Sequence, residues 1–141
     1  MNWVAWALLS AVFAGVTAVL AKVGVANVNS NLATAIRTTV ILVITWAIAY
    51  ATSPSGGFAM PGRKTLLFLA LSGLATGLSW ICYFRALQLG EASRVAPIDK
   101  LSVVFAIVLA GLFLRERLTW QQAVGGTLIV AGSLVIAWKP R

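Results

Sequence analysis

The chain has 141 residues, a formal net charge of +8 at pH 7, 60% hydrophobic residues and only 10% charged residues. Soluble domains have roughly 45–50% apolar and about 25% charged residues, so this composition excludes a water-soluble globular protein. The basic residues stand singly among apolar stretches, which excludes a nucleic-acid binder. With one cysteine, Cys82, and no histidine, we expect no disulfide within the chain, no metal, no cofactor and no enzyme activity.

Five apolar windows are each about as long as the roughly 20 residues that a membrane-spanning helix needs. They cover residues 3–25, 31–51, 66–87, 95–114 and 120–138. The sequence therefore predicts an all-α membrane protein with five transmembrane helices, in a single domain over residues 1–141.

Besides Arg85, near the end of the third window, four charged residues fall within these windows: Lys22, Arg37, Asp99 and Lys100. Lys22 is near the end of the first helix, where its long stem favours an anchor at the membrane surface. Arg37 is about 9 Å into the second helix, which leaves anchoring and function equally open. Adjacent residues diverge by about 100° on a helix, so we expect Asp99 and Lys100 to pair with other helices, Asp99 with Lys22 or Arg37.

These charges form the candidate substrate and coupling site. Asp99 is either half of a structural ion pair or a substrate or proton site, and the excess of Lys22, Arg37 and Lys100 over Asp99 favours an anionic or zwitterionic solute. The later half of the third helix adds one face of Trp80, Tyr83, Phe84 and Leu87. This face is either an interfacial aromatic belt or the wall of a substrate cavity, so Trp80 and Tyr83 join the candidate site.

The fifth helix carries two signals. Thr119 and Gln122 have the spacing of a capping box, which predicts the start of the helix. Gly125 and Gly132 are seven residues apart and share a face, with Gly126 beside them, so another helix could approach closely. We interpret these three glycines as an interface between subunits.

Five spans put the two termini on opposite sides of the membrane. The side of Met1 then holds four basic residues, Arg63, Lys64, Arg115 and Arg117, and the other side holds six, Lys22, Arg37, Arg85, Arg94, Lys139 and Arg141. Orientation follows the asymmetry of Lys and Arg, which is weak here. The balance favours dual topology and an antiparallel homodimer with an inverted two-fold in the membrane plane.

Two stretches resemble the EamA domain of the drug/metabolite transporter superfamily: ALQLGEASRVAPI over 86–98 and LRERLTWQQAVGGTLIVAG over 114–132. The most specific parts are Pro97, Glu116 in its L-x-E-x-L-T setting and the G-x-x-L-I-x-x-G ending. The resemblance covers essentially the whole chain as one five-helix repeat. Typical relatives carry two repeats in inverted orientation, so the resemblance implies a half-transporter that exports a small metabolite or drug across the bacterial inner membrane.

The spacing of Gly125 and Gly132 also resembles the dimerisation helix of the small multidrug resistance proteins. Those proteins couple to protons through a Glu in the first helix, where this chain has no acid. Asp99 is therefore the candidate for coupling, while exchange and facilitated diffusion stay open. Two alternatives to a transporter of soluble solutes also stay open: a lipid-linked sugar flippase subunit, whose phosphate would suit Arg37 and Lys100, and a membrane adaptor that transports nothing.

Overall fold

The computed structural model describes residues 2–53 and 60–138, and no strand occurs among them. The helices are α1 (Trp3–Gly24), α2 (Ser30–Thr52), α3 (Arg63–Leu89), α4 (Ala92–Asp99), α5 (Ser102–Phe113) and α6 (Trp120–Ala137). Five spans are long and apolar enough to cross a membrane, with α4 and α5 together forming the fourth. This confirms the prediction of an all-helical chain with five spans. Lys139 and Arg141, two charges of the topology count, lie outside the described residues.

The fourth span is interrupted at Lys100 and Leu101, where the sequence predicts one continuous helix. The helix begins at Ala92, three residues before the predicted start, so Pro97 lies inside it instead of in its first turn. A proline there removes a backbone donor and crowds the preceding turn. C-terminal to the proline, the amide of Leu101 bonds to the Ile98 carbonyl at 3.0 Å, an i−3 contact of the 3₁₀ type at which α4 ends.

Two compact units make up the chain, the first comprising Met1–Val23 with Leu89–Arg141 and the second Gly24–Gln88. In the first unit, α6 packs against both α4 and α5. The Ser133 hydroxyl on α6 donates to the Pro97 carbonyl at 2.9 Å. The same carbonyl accepts from the Lys100 amide at 3.1 Å, so Ser133 adds a second donor at the end of α4 and ties it to α6.

The second unit contains α2, α3 and the turn that precedes α2. The Asn29 carboxamide oxygen caps α2 by accepting from the Asn31 amide at 2.9 Å. At the other end of the unit's sequence, the Gln88 side chain donates to the Val28 carbonyl at 2.6 Å and to the Val25 carbonyl at 3.3 Å. Val25 and Leu87 are fully buried. The end of α3 is therefore tied to the turn before α2.

Large apolar side chains are exposed on all five spans, for example Leu8, Leu42, Leu69, Leu112 and Leu134. A soluble monomer rarely exposes such continuous apolar surface, whereas a bilayer covers it at no cost. The exposure pattern is therefore that of a multi-pass membrane protein.

Candidate functional site

In the second unit, one charged residue of α2 contacts aromatic residues of α3. The guanidinium carbon of Arg37 is 4.4 Å from the Trp80 ring centroid and 5.4 Å from that of Phe84. Trp80 and Phe84 are four residues apart on α3, so their rings share one face of the helix. Tyr83 lies edge-on to Phe84, with 6.4 Å between centroids. We call Arg37, Trp80, Tyr83 and Phe84 the arginine–aromatic cluster.

This face of α3 is turned towards protein. Phe84 and Leu87 are buried, and Trp80 and Tyr83 are half-buried. A lipid-facing aromatic belt would leave its rings exposed at the membrane surface. Of the two interpretations of the aromatic face, its burial and its contact with Arg37 favour the wall of a polar site.

Arg37 is half-buried and its charge has no counter-ion in its own unit. Residues 24–88 contain no Asp or Glu, and all three acids of the chain, Glu91, Asp99 and Glu116, come later in the sequence. In the described part of the chain, Arg37 forms neither an ion pair nor a hydrogen bond. Its charge is stabilised by aromatic faces instead, a contact worth about 0.5–2 kcal/mol.

The other charged group lies at the break in the fourth span. Lys100 Nζ is 3.6 Å from Asp99 Oδ2, so the expectation that these neighbours point apart and pair with other helices is wrong. Lys100 keeps helical backbone angles (φ −69°, ψ −9°), so the two residues still leave the backbone in different directions, and the long lysine side chain reaches back to the carboxylate. The two side chains are 35% and 55% exposed, respectively.

Lys22 is held by the backbone of its own unit. Its amine donates to the Gly90 carbonyl, in the turn between α3 and α4, at 2.7 Å. The predicted site residues therefore fall into two groups, with Arg37, Trp80 and Tyr83 in the second unit and Lys22, Asp99 and Lys100 in the first.

The three glycines of α6 have different surroundings. Gly126 is buried, and a Cβ there would lie 4.0 Å from Val104 and Ile107 of α5, so this glycine serves packing within the chain. A Cβ added at Gly125 or at Gly132 would meet nothing within 4 Å. Those two glycines stay candidates for an interface between subunits.

The sequence does not predict the contacts of three polar or aromatic residues. The pattern groups Phe84 with the aromatic face but not with Arg37, and Gln88 and Ser133 carry no signal that points to their backbone acceptors. Only the spacing of Phe84, four residues after Trp80, indicates that both rings could lie under the same cation. Across residues 2–53 and 60–138 there is no cluster of three side chains suited to hold a metal ion.

The five apolar spans define a multi-pass membrane protein. The model of the EamA-like transporter family matches residues 1–138. The chain belongs to this family, as its motifs predict, and hence to the drug/metabolite transporter superfamily.

Three relatives illustrate the range of the family. An uncharacterized transporter of Sinorhizobium sp., encoded in the cobO 3' region, is 56% identical over 140 residues, which cover 96% of each chain. A probable terminal-alkyne amino-acid exporter of Streptantibioticus cattleyicolor is 36% identical over 69% of this chain and 33% of its own length. A probable 4-amino-4-deoxy-L-arabinose-phosphoundecaprenol flippase subunit, ArnE of Erwinia tasmaniensis, is 34% identical over 61% of this chain and 76% of its own. No solved structure matches the chain.

Proposed function

We propose that the protein is a secondary-active exporter of a small metabolite or drug-like solute in the bacterial inner membrane, and not an enzyme. It would work by alternating access as an antiparallel homodimer. The family assignment over residues 1–138 supports the transport of a solute. The match to only a third of the amino-acid exporter supports the idea that one copy of this chain is half of a working transporter.

The break in the fourth span is the observation that carries the proposal. Secondary transporters commonly build their sites from discontinuous helices near the middle of the membrane, where backbone groups and charges become available. Here an eight-residue and a twelve-residue helix are joined by a 3₁₀-type turn at Lys100 and Leu101, whose amides both stay hydrogen-bonded, and this turn carries the Asp99–Lys100 pair. Placing charges within a membrane span costs free energy, and ionisable residues found there commonly mark substrate or ion pathways. We assign Asp99 the role of proton site or static counter-ion.

The homodimer rests on charge balance and on α6. The weak Lys and Arg asymmetry gives the chain little reason to choose one orientation. Gly125 and Gly132 present a small surface with open space above it, which a second α6 could fill at close range. Two oppositely inserted copies would reproduce the inverted repeats that longer transporters carry within one chain.

The solute is proposed to be anionic or zwitterionic, since basic residues outnumber acids in both groups of the candidate site. The relative described as an amino-acid exporter fits this class.

Flux through the purified chain tests the proposal. Proteoliposomes are loaded with a radiolabelled mixture of amino acids, and efflux is followed with and without an imposed pH gradient. We expect wild-type vesicles to lose label faster than protein-free vesicles, and Asp99→Asn to remove the part of the flux that the pH gradient drives. Efflux equal to that of protein-free vesicles under both conditions would contradict transport of this class of solute.

A lipid-linked sugar flippase subunit is the second candidate, because the chain is 34% identical to the ArnE subunit over 86 residues. A flippase would bind a polyprenyl phosphate and leave soluble amino acids untouched. Translocation of a fluorescent polyprenyl phosphate in the same vesicles, without amino-acid efflux, would favour this candidate. No flux of either kind, together with a stable hetero-complex in pull-downs, would favour a membrane adaptor.

A further inference from the structure

The arginine–aromatic cluster holds a cation whose hydrogen-bonding capacity is unused. A guanidinium has five N–H donors, and aromatic faces contact the charge without supplying an acceptor. In the described part of the chain no acceptor reaches Arg37, and its unit, residues 24–88, contains no acid. A charged donor without an acceptor is costly at this depth in a membrane.

The donors of Arg37 are also accessible. Among the described residues that are not exposed, the only fully buried side-chain nitrogen or oxygen without a hydrogen-bond partner is Ser53 Oγ. The partnerless guanidinium nitrogens of Arg37 are therefore not sealed inside the protein. The side of the guanidinium that faces away from Trp80 and Phe84 can receive a ligand.

We propose that Arg37 binds the oxyanion group of the solute, a carboxylate or a phosphate, while Trp80 and Phe84 hold the guanidinium in place. A planar guanidinium matches two oxygens of one carboxylate or phosphate by parallel hydrogen bonds, which a lysine amine cannot do. Stacking on two rings restricts the side chain before the ligand arrives, so less conformational freedom is lost on binding.

This assignment narrows the class of solute to those that carry an oxyanion. That the bound anion is the transported solute rests on the proposed function. A solute must carry an oxyanion to supply the counter-ion that residues 24–88 lack. A lipophilic cation would meet the uncompensated Arg37 charge and is excluded from this site. The ammonium of a zwitterion must be accommodated by other residues.

Binding of radiolabelled benzoate to the purified protein in an uncharged detergent tests the site, with neutral benzamide as the matched ligand. We expect saturable binding of benzoate, competition by phenyl phosphate and no competition by benzamide. Arg37→Gln should weaken benzoate binding about ten- to a hundredfold, the effect expected of a lost charged hydrogen bond. Arg63→Gln, which removes the same charge at the start of α3, should leave binding unchanged.

Arg37→Lys keeps the charge without the planar fork, so it separates recognition from folding. We expect this variant to fold and to bind benzoate several-fold more weakly than wild type. Equal binding by wild type, Arg37→Gln and Arg37→Lys would overturn the proposal. So would an equal loss in Arg37→Gln and Arg63→Gln, because the effect would then come from net charge alone.

A lipid headgroup could supply the same oxyanion. Native mass spectrometry of protein extracted from bilayers with and without phosphatidylglycerol tests this source. Retention of that lipid by wild type but not by Arg37→Gln, without benzoate binding, would establish an anion-binding site occupied by lipid and overturn the assignment of the solute to it. If neither benzoate nor phosphatidylglycerol binds in a way that depends on Arg37, the proposal of an anion site is overturned. Binding is measured without flux, so the two proposals can fail separately. Benzoate can bind at Arg37 when no efflux is detected, and efflux can be detected when Arg37→Gln leaves benzoate binding unchanged.

Discussion

The two units of the chain accommodate intramembrane charge in different ways. In the first unit, Asp99 and Lys100 neutralise each other at 3.6 Å, at a point where the backbone is already interrupted. In the second, Arg37 stands on a continuous helix against Trp80 and Phe84, in a stretch of sequence without any acid. Asp99 and Lys100 are counter-ions to each other, whereas Arg37 has no acid within residues 24–88 to pair with.

This difference indicates how the two groups could divide the work of a transporter. A self-neutralised pair is stable without a ligand and can exchange partners or protons when a helix moves. A stacked guanidinium without a counter-ion is better suited to capture an anion. Substitutions in the Asp99–Lys100 pair and in the arginine–aromatic cluster should therefore differ in the size and kind of their effects.

Removing one member of the Asp99–Lys100 pair should have the largest effect on stability. Lys100→Leu leaves Asp99 as a lone charge in an apolar span, and we expect a loss of about 2–3 kcal/mol in the free energy of unfolding. The double variant Asp99→Leu with Lys100→Leu should recover most of that loss, because removing both charges costs less than leaving one. Unfolding in SDS mixtures measures both. A double variant as unstable as the single one would show that the pair does not neutralise itself.

Removing the ring beneath Arg37 should have an intermediate effect. Trp80→Leu takes away the closer of the two aromatic faces, and we expect a loss of about 1–2 kcal/mol of stability. Trp6→Leu, at an exposed position on α1, is the control and should change stability by less. If the two variants behave alike, the stacking on Arg37 contributes nothing and the contrast between the units disappears.

The hydrogen bond that supports the break should have the smallest effect. Ser133→Ala removes the donor to the Pro97 carbonyl, and we expect a loss of about 0.5–1 kcal/mol. Hydrogen exchange should rise at Lys100 and Leu101 more than elsewhere in α4 and α5. Ser10→Ala, exposed on α1, serves as the control. Unchanged exchange at the break would mean that the Ser133 hydrogen bond does not support it.

Local sequence signals predict the elements well. Hydropathy predicts five spans, because the requirement for about 20 apolar residues is a property of each segment alone. The capping box is also local, and the structure confirms it, with the Gln122 amide donating to Thr119 Oγ1 at 3.3 Å and the Gln122 side chain accepting from the Thr119 amide.

Contacts between segments are not predictable in this way. The break is set by i−3 hydrogen bonds at residues 100–104, C-terminal to Pro97, and hydropathy carries no signal for such a change in hydrogen-bond pattern. The contact of Lys100 with Asp99 depends on the rotamer of a long, flexible side chain, which the angular spacing of the two residues does not determine. The contact of Arg37 with Trp80 depends on how α2 and α3 are rotated about their axes, which the pattern of either helix leaves undetermined.

We propose an antiparallel homodimer, in which one chain supplies half of a transporter and an oppositely inserted copy completes it, and its topology tests this directly. A single cysteine is placed after Arg141, in a variant without Cys82, and treated with an impermeant reagent in intact cells. We expect partial labelling that becomes complete when the cells are permeabilised. Labelling that is complete or absent before permeabilisation would establish one fixed orientation and contradict the antiparallel homodimer.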